Sequence, residues 1–260
     1  LDAAAFAPTS PLDLTKHSPN FVAVSFYKMF GYPTGLGCLL IKKSSFGKLQ
    51  KKWFAGGTVN LASAMTPHHF LMDNHERFED GTLNYLDIPA LKIGLDYLKS
   101  IGMKRLNERV GSLMEYIFYR LKDLTHSNGA PQLEIFGHPK RLNTGGTMSM
   151  CFKNPDGSKI DFHQIEEMAN DRNISLRSGC FCNPGLDETI NCMNTNEIDQ
   201  YFKSRVSGNY LDMIDFLQVM RGSIRISVGI ATNRDDLDAF VSLVRGLKDK
   251  TISKEILKAS

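Results

Sequence analysis

The sequence predicts an α/β protein in two parts, residues 1–104 as a portion of a larger domain built on a parallel sheet and residues 105–260 as a smaller α+β domain. Three observations carry this expectation. Short apolar, β-branched runs alternate with segments whose apolar residues recur at helical spacing. The character of the chain changes after the Asn128-Gly129 turn, where strand-like runs become more frequent. The opening Leu1-Asp2-Ala3-Ala4-Ala5-Phe6 has no initiator Met and reads as the end of a buried strand, so the chain is expected to be the C-terminal part of something longer.

In chain order, Phe21 to Ser25 and Gly37 to Ile41 have the composition of strands, and Gly56-Gly57-Thr58 that of a loop. Ile88 to Ile101 and Leu106 to Leu124 carry helical periodicity, the second with many charges on its far face. Beyond residue 128, Leu133 to Phe136, Thr147 to Phe152, Ile174 to Leu176 and Ile224 to Val228 read as strands. Phe162 to Asn170 and Leu237 to Leu247 read as helices.

The chain has 260 residues, of which 42% are hydrophobic and 23% charged, enough for one large or two modest cores. No apolar run approaches the roughly 20 residues that span a bilayer, and the start lacks the charged-then-apolar pattern of a signal peptide. A cytoplasmic location is the resulting expectation. With 31 basic against 28 acidic residues the formal charge is only +3, and no basic tract interleaved with aromatics occurs, which argues against nucleic acid as a partner. Five cysteines lack disulfide-scaffold spacing, and Cys180-Phe181-Cys182 has too few intervening residues for a zinc half-site, so no metal is expected.

Lys28 is the most informative residue. It lies in the run that follows the apolar stretch Phe21 to Val24 directly, and precedes a turn rich in glycine and proline, Gly31-Tyr32-Pro33-Thr34-Gly35, that leads into the next strand. A lysine at the end of a strand, beside hydroxyl residues, suits covalent attachment of a phosphorylated aldehyde cofactor. Lysines beside such turns are also commonly solvated surface residues. Asp2, 26 residues earlier, suits the protonated nitrogen of a pyridinium ring, or equally a turn cap. Arg77 to Thr82 forms a polar turn ahead of the helix containing Pro89, which is either an anion seat or merely a helix start. Cys180 and Cys182 lie on a Gly/Pro-bounded loop close to Arg177, where a cation favours the thiolate, whereas Cys38 and Cys151 lie in apolar runs and read as structural.

Asp2-Ala-Ala-Ala-Phe6, Ser25 to Gly37, Arg77 to Asn84, Arg177-x-Gly-x-x-Cys182-Asn-Pro-Gly185 and Ser223 to Gly229 follow the order and spacing of class V aminotransferase-like enzymes. More narrowly, from residue 1 to about residue 248 the chain resembles molybdenum cofactor sulfurases in their cysteine-desulfurase-like domain. Phe26-Tyr27-Lys28 stands where simple cysteine desulfurases usually carry Gly-His-Lys.

The resemblance implies a pyridoxal-phosphate-dependent transferase of fold type I, aspartate aminotransferase-like, with part of the large domain and the small C-terminal domain. It further implies that Lys28 holds pyridoxal 5'-phosphate covalently, that Asp2 faces the ring nitrogen, and that Ser25 and Tyr27 contact the phosphate. Thr82 would reach the phosphate of the neighbouring subunit in a homodimer. Cys182 would form a persulfide with sulfur from L-cysteine, Arg225 would grip the substrate carboxylate with help from Arg177, and the molybdenum cofactor would accept the sulfur. The rivals are a general cysteine desulfurase or other class V lyase, and a catalytically silent fragment kept for dimerisation or partner binding. Ala5 replaces the glutamine of simple desulfurases, and the long stretch between Cys182 and Arg225 favours the sulfurase. Leu186-Asp187-Glu188 stands where many sulfurases carry another cysteine, a place that Cys192 would have to fill.

Overall fold

The computed structural model describes residues 1–137, 144–219 and 221–253, and its packing divides the chain into Leu1–Asn107 and Glu108–Ser260. In the first unit, β1 (Phe21–Ser25) and β2 (Gly37–Ile41) form an antiparallel pair in the register Phe21↔Ile41 to Ser25↔Gly37. Gly37 is required at its position, because a Cβ there would lie 2.8 Å from the Val24 carbonyl oxygen. The larger parallel sheet expected for this part is met only by Asp2, which bridges to Ala23 in parallel through backbone bonds of 2.9 and 3.0 Å. The β1–β2 pair itself is antiparallel, because one helical turn and a short loop suffice to reverse the chain.

That turn is α1 (Tyr27–Phe30), so Lys28 lies on a helical turn and not on the strand end. It stops at Gly31, whose φ of +84° suits glycine and whose N–H closes on the Tyr27 carbonyl. Phe30 packs so closely on α2 (Ile88–Ile101) that a Cβ on Gly94 would sit 2.4 Å from its ring. Two further strands, β3 (Val59–Ala62) and β4 (His69–Leu71), pair antiparallel and went unseen in the sequence. α2 matches its expected bounds and ends at Gly102, φ +87°.

α3 (Met103–Leu121) begins and ends earlier than its hydrophobic pattern predicts, but buries the same face through Val110, Met114, Ile117 and Leu121. The second unit is organised by a four-stranded antiparallel sheet, β5 (Leu133–Ile135), β6 (Thr147–Phe152), β7 (Arg177–Gly179) and β8 (Ser223–Ser227), in the order β5-β6-β8-β7. The strand expected at Ile174 to Leu176 is irregular, and the pairing begins at Arg177 instead. Register against β8 decided its position, over the local apolar pattern.

α4 (Phe162–Asn170) is capped by Asp161 and buries Phe162, Ile165 and Ala169. The chain then passes through α5 (Pro184–Ile190), α6 (Thr195–Lys203) and α7 (Tyr210–Leu217), which the sequence did not announce. α8 (Arg234–Arg245) starts at an Asn233/Asp236 capping box and buries Leu237, Phe240, Val241, Leu243 and Val244. Phe240 meets Phe152 of β6 edge to face at 6.5 Å between centroids.

Candidate active site

In the first unit the lysine segment presents unpaired polar groups. Lys28 is exposed, and its ammonium makes no ion pair or hydrogen bond among the described residues, its one contact being the Tyr27 ring at 5.9 Å. The parallel bridge sets Asp2 on the strand neighbouring β1. There its Oδ1 accepts the Ala4 N–H at 2.9 Å. Ser25 closes β1 opposite Gly37, and Tyr27 is exposed at the start of α1. The Lys28 amine, the Asp2 carboxylate and the Ser25 and Tyr27 hydroxyls, borne on β1, its parallel neighbour and α1, are a donor set that fits a phosphorylated aldehyde with a basic ring nitrogen.

The Arg77–Thr82 segment differs from the expected helix start. Arg77 donates from Nε to the Met72 carbonyl at 2.7 Å and stacks 5.6 Å over Phe46, so it braces its own turn. Thr82 is exposed in a bend after Gly81, whose N–H binds the Gly56 carbonyl at 2.9 Å. α2 begins only at Ile88, so no helix N-terminus lies at Thr82.

In the second unit the expected Arg177, Arg225 and Cys182 do converge. Arg177 of β7 stands directly across from Arg225 of β8, which in turn faces Ser149 of β6, so the three side chains share one face of the sheet. Arg225 is half-buried, and its Nε is enclosed with no partner among the described residues. Burial first, then the like charge of Arg177, hold its pKa below the ordinary guanidinium value, while Cys182 nearby acts in the opposite direction. Two arginines paired across the sheet, with no carboxylate paired to either among the described residues, make a seat for an anion.

Cys182 is exposed in a tight turn in which the Asn183 N–H binds the Cys180 carbonyl at 2.9 Å. Both central residues lack glycine's freedom, yet Phe181 and Cys182 take φ of +56° and +58°. Holding an L-residue there costs roughly 1–2 kcal/mol each, so the turn needs external support. Part of it comes from Phe181, whose ring lies 5.1 Å from the Arg225 guanidinium carbon.

The flanks of the turn are anchored on both sides. Ser178 donates to Glu166 of α4 at 2.7 Å, and the Asn183 side chain caps α5 at the Leu186 N–H. Asp187, on the next turn of α5, is almost wholly buried. It accepts from Arg221 Nε at 2.7 Å and Nη2 at 2.6 Å, from the Gly222 N–H at 2.6 Å and from Asn191 at 2.9 Å, tying α5 to the start of β8. Asp187→Ala removes the buried carboxylate that accepts from Arg221, the Gly222 N–H and Asn191. It is expected to destabilise the second unit by about 3–5 kcal/mol, seen as an earlier denaturation midpoint in urea. An unchanged midpoint would remove Asp187 as the anchor.

Neither Phe181 nor Asp187 was legible beforehand, since a positive φ and a long-range ion pair leave no local pattern. The remaining thiols divide as expected: burial pushes Cys151 up to about 11 and raises Cys38, which keeps both protonated. Cys192 is exposed. Among the described residues no cluster of His, Cys, Asp and Glu could hold a metal ion, and no helix is long and apolar enough to cross a membrane.

Residues 1–240 match the family model for aminotransferase class-V. Molybdenum cofactor sulfurase of Drosophila mojavensis is 39% identical over 255 residues, covering 94% of this chain and 32% of that protein. The human molybdenum cofactor sulfurase is 36% identical over 251 residues, covering 94% of this chain and 28% of that one. The chain thus spans about a third of the length of these relatives. Among solved structures, a cysteine desulfurase from Thermococcus onnurineus superposes with a TM-score of 0.69 at 23% identity, over 95% of this chain and 51% of that one. A cysteine desulfurase from Escherichia coli gives 0.66 at 19% identity, over 94% and 49%. These likenesses give the fold as part of the fold type I architecture, here with a mixed set of strands and helices.

Proposed function

This chain belongs to the class-V aminotransferase family, and from that premise we propose that it is part of a pyridoxal-phosphate-dependent enzyme that takes sulfur from L-cysteine onto Cys182 and passes it to the molybdenum cofactor. The observation that carries the proposal is the Arg177–Arg225 pair set across from one another, with the Cys182 turn held against Arg225 through Phe181. The sulfurase relatives, similar along nearly the whole chain, support the choice of acceptor.

Pyridoxal phosphate, when bound, supplies an electron sink for bonds at the substrate's α-carbon. On this reading Lys28 holds it covalently, Asp2 faces the ring nitrogen, and Ser25 and Tyr27 hold the phosphate. Once displaced, the Lys28 amine takes the α-proton of cysteine. Arg225, assisted by Arg177, fixes the substrate carboxylate through paired hydrogen bonds. The Cys182 thiolate then attacks the substrate sulfur: an S–S bond forms, the substrate's Cβ–S bond breaks, its electron pair is protonated at Cβ, Lys28 returns a proton to the α-carbon, and alanine leaves. The sulfur stays on Cys182 as a persulfide.

Division of the chain into a large-domain portion, residues 1–104, and a small domain, 105–260, belongs to the same proposal. So do a homodimer in which Thr82 reaches the neighbouring cofactor, and a cytoplasmic location. The reading is tested by adding L-cysteine to the full-length protein with pyridoxal phosphate. Alanine and one extra sulfur on the peptide holding Cys182 are expected, followed by transfer to added molybdenum cofactor. Persulfide without that transfer would favour a general cysteine desulfurase. Alanine without sulfur on Cys182 would overturn the role of that thiol.

Arg225→Lys retains a charge but loses the planar fork. It is expected to lower kcat/KM for cysteine by about 1.5–3 kcal/mol, as for a lost charge-assisted hydrogen bond, with cofactor absorbance intact. Unchanged kcat/KM would sink the clamp.

A further inference from the structure

We propose that Phe181 is a positioning residue that couples occupancy of the Arg225 clamp to the conformation of the Cys182 turn, an inference that rests on the reading of Cys182 as the sulfur carrier. The turn is flanked by fixed points, the Ser178–Glu166 bond on one side and the Asn183 cap with the Asp187–Arg221–Gly222 anchor on the other. Between these only Cys180 to Cys182 is left to rearrange. Phe181 and Cys182 are both left-handed without being glycine, a conformation that persists only where its surroundings hold it.

Two contacts do the holding: the Asn183 N–H on the Cys180 carbonyl, and the Phe181 ring on the Arg225 guanidinium at 5.1 Å. The second depends on the positive charge of Arg225, whose Nε is enclosed and without a hydrogen-bond partner among the described residues, with the like charge of Arg177 alongside. A carboxylate arriving at Arg225 competes for the same group. It neutralises the charge that attracts the ring face and draws the guanidinium toward its own oxygens. The ring is then released, and the turn relaxes toward negative φ, moving Cys182 Sγ out of its resting place. Substrate binding thereby mobilises the thiol that must reach the substrate sulfur.

The test uses the full-length protein with pyridoxal phosphate in a Cys180→Ser background, and follows alkylation of Cys182 by iodoacetamide with peptide mass spectrometry. L-Alanine serves as a carboxylate ligand that has no sulfur to transfer. Saturating alanine is expected to speed alkylation about two- to fivefold, the population shift that follows loss of one cation–π contact. Phe181→Leu should alkylate at the faster rate without alanine and respond no further, and Phe181→Tyr, which keeps a ring face, should restore the response. A Phe181→Leu protein with the slow rate and the full alanine response would overturn the coupling. So would indifference to alanine in the parent protein that still gains a sulfur on Cys182 from L-cysteine, and in that case the carrier role would stand. If L-cysteine puts no sulfur on Cys182 in the parent, the carrier reading falls and the coupling with it.

Discussion

Cys182→Ser is expected to abolish persulfide formation from L-cysteine, by about 10³-fold or more, because a hydroxyl stays protonated near neutral pH and is a poor nucleophile toward sulfur. The structure sharpens the contrast with its neighbour. Cys182 is exposed and lies close enough to Arg225 to favour that cation, whereas Cys180 is half-buried at the end of β7, where its carbonyl closes the turn. Cys180→Ser should therefore only slow the reaction. Mass spectrometry of the loop peptide after addition of cysteine decides between the two thiols. An extra sulfur found on Cys180 alone would reverse their roles.

Lys28→Ala is the second large loss. With no amine at that position, covalent attachment of pyridoxal phosphate should disappear, along with its visible absorbance, and alanine production should fall by roughly 10²–10⁴-fold as the proton-transfer group is removed. The expectation draws on an ammonium that makes no ion pair or hydrogen bond among the described residues, and on its place in α1, where the short helix fixes the backbone before Gly31 ends it. Borohydride reduction of the unmodified full-length protein should label the peptide containing Lys28. A label on another lysine would refute the assignment.

What the sequence could and could not reveal follows from the range of the forces involved. β1, β2, α2, β6 and α4 were legible to the residue because each has a local apolar rhythm and a clear stop, such as Gly102 after α2. β7 was misplaced because its apolar neighbours, Ile174 and Leu176, lie outside the pairing that β8 imposes. α5 to α7 went unseen because they are short and begin at side-chain caps, at Asn183, Asn194 and Asn209, and not at hydrophobic runs. Of the candidate site, the thiol and arginine motifs were visible as residues. Their convergence was not, since only sheet register brings Arg177 opposite Arg225. The helical state of Lys28 was hidden by the glycine and proline positions that follow it, which suggested that the chain runs extended to Lys28 and turns only after it.

The buried Asp187–Arg221–Gly222 contact has a consequence for how the chain tolerates changes in length. It fastens together the two ends of the excursion that contains α6 and α7, so the path between them is already a closed loop at its base. For a closed loop, each doubling in length costs only about 0.6 kcal/mol of closure entropy. Residues 206–207, exposed between the two helices, are thus a permissive point for insertion. Added or deleted residues there lengthen or shorten an appendage while β8, and with it Arg225, stays in register.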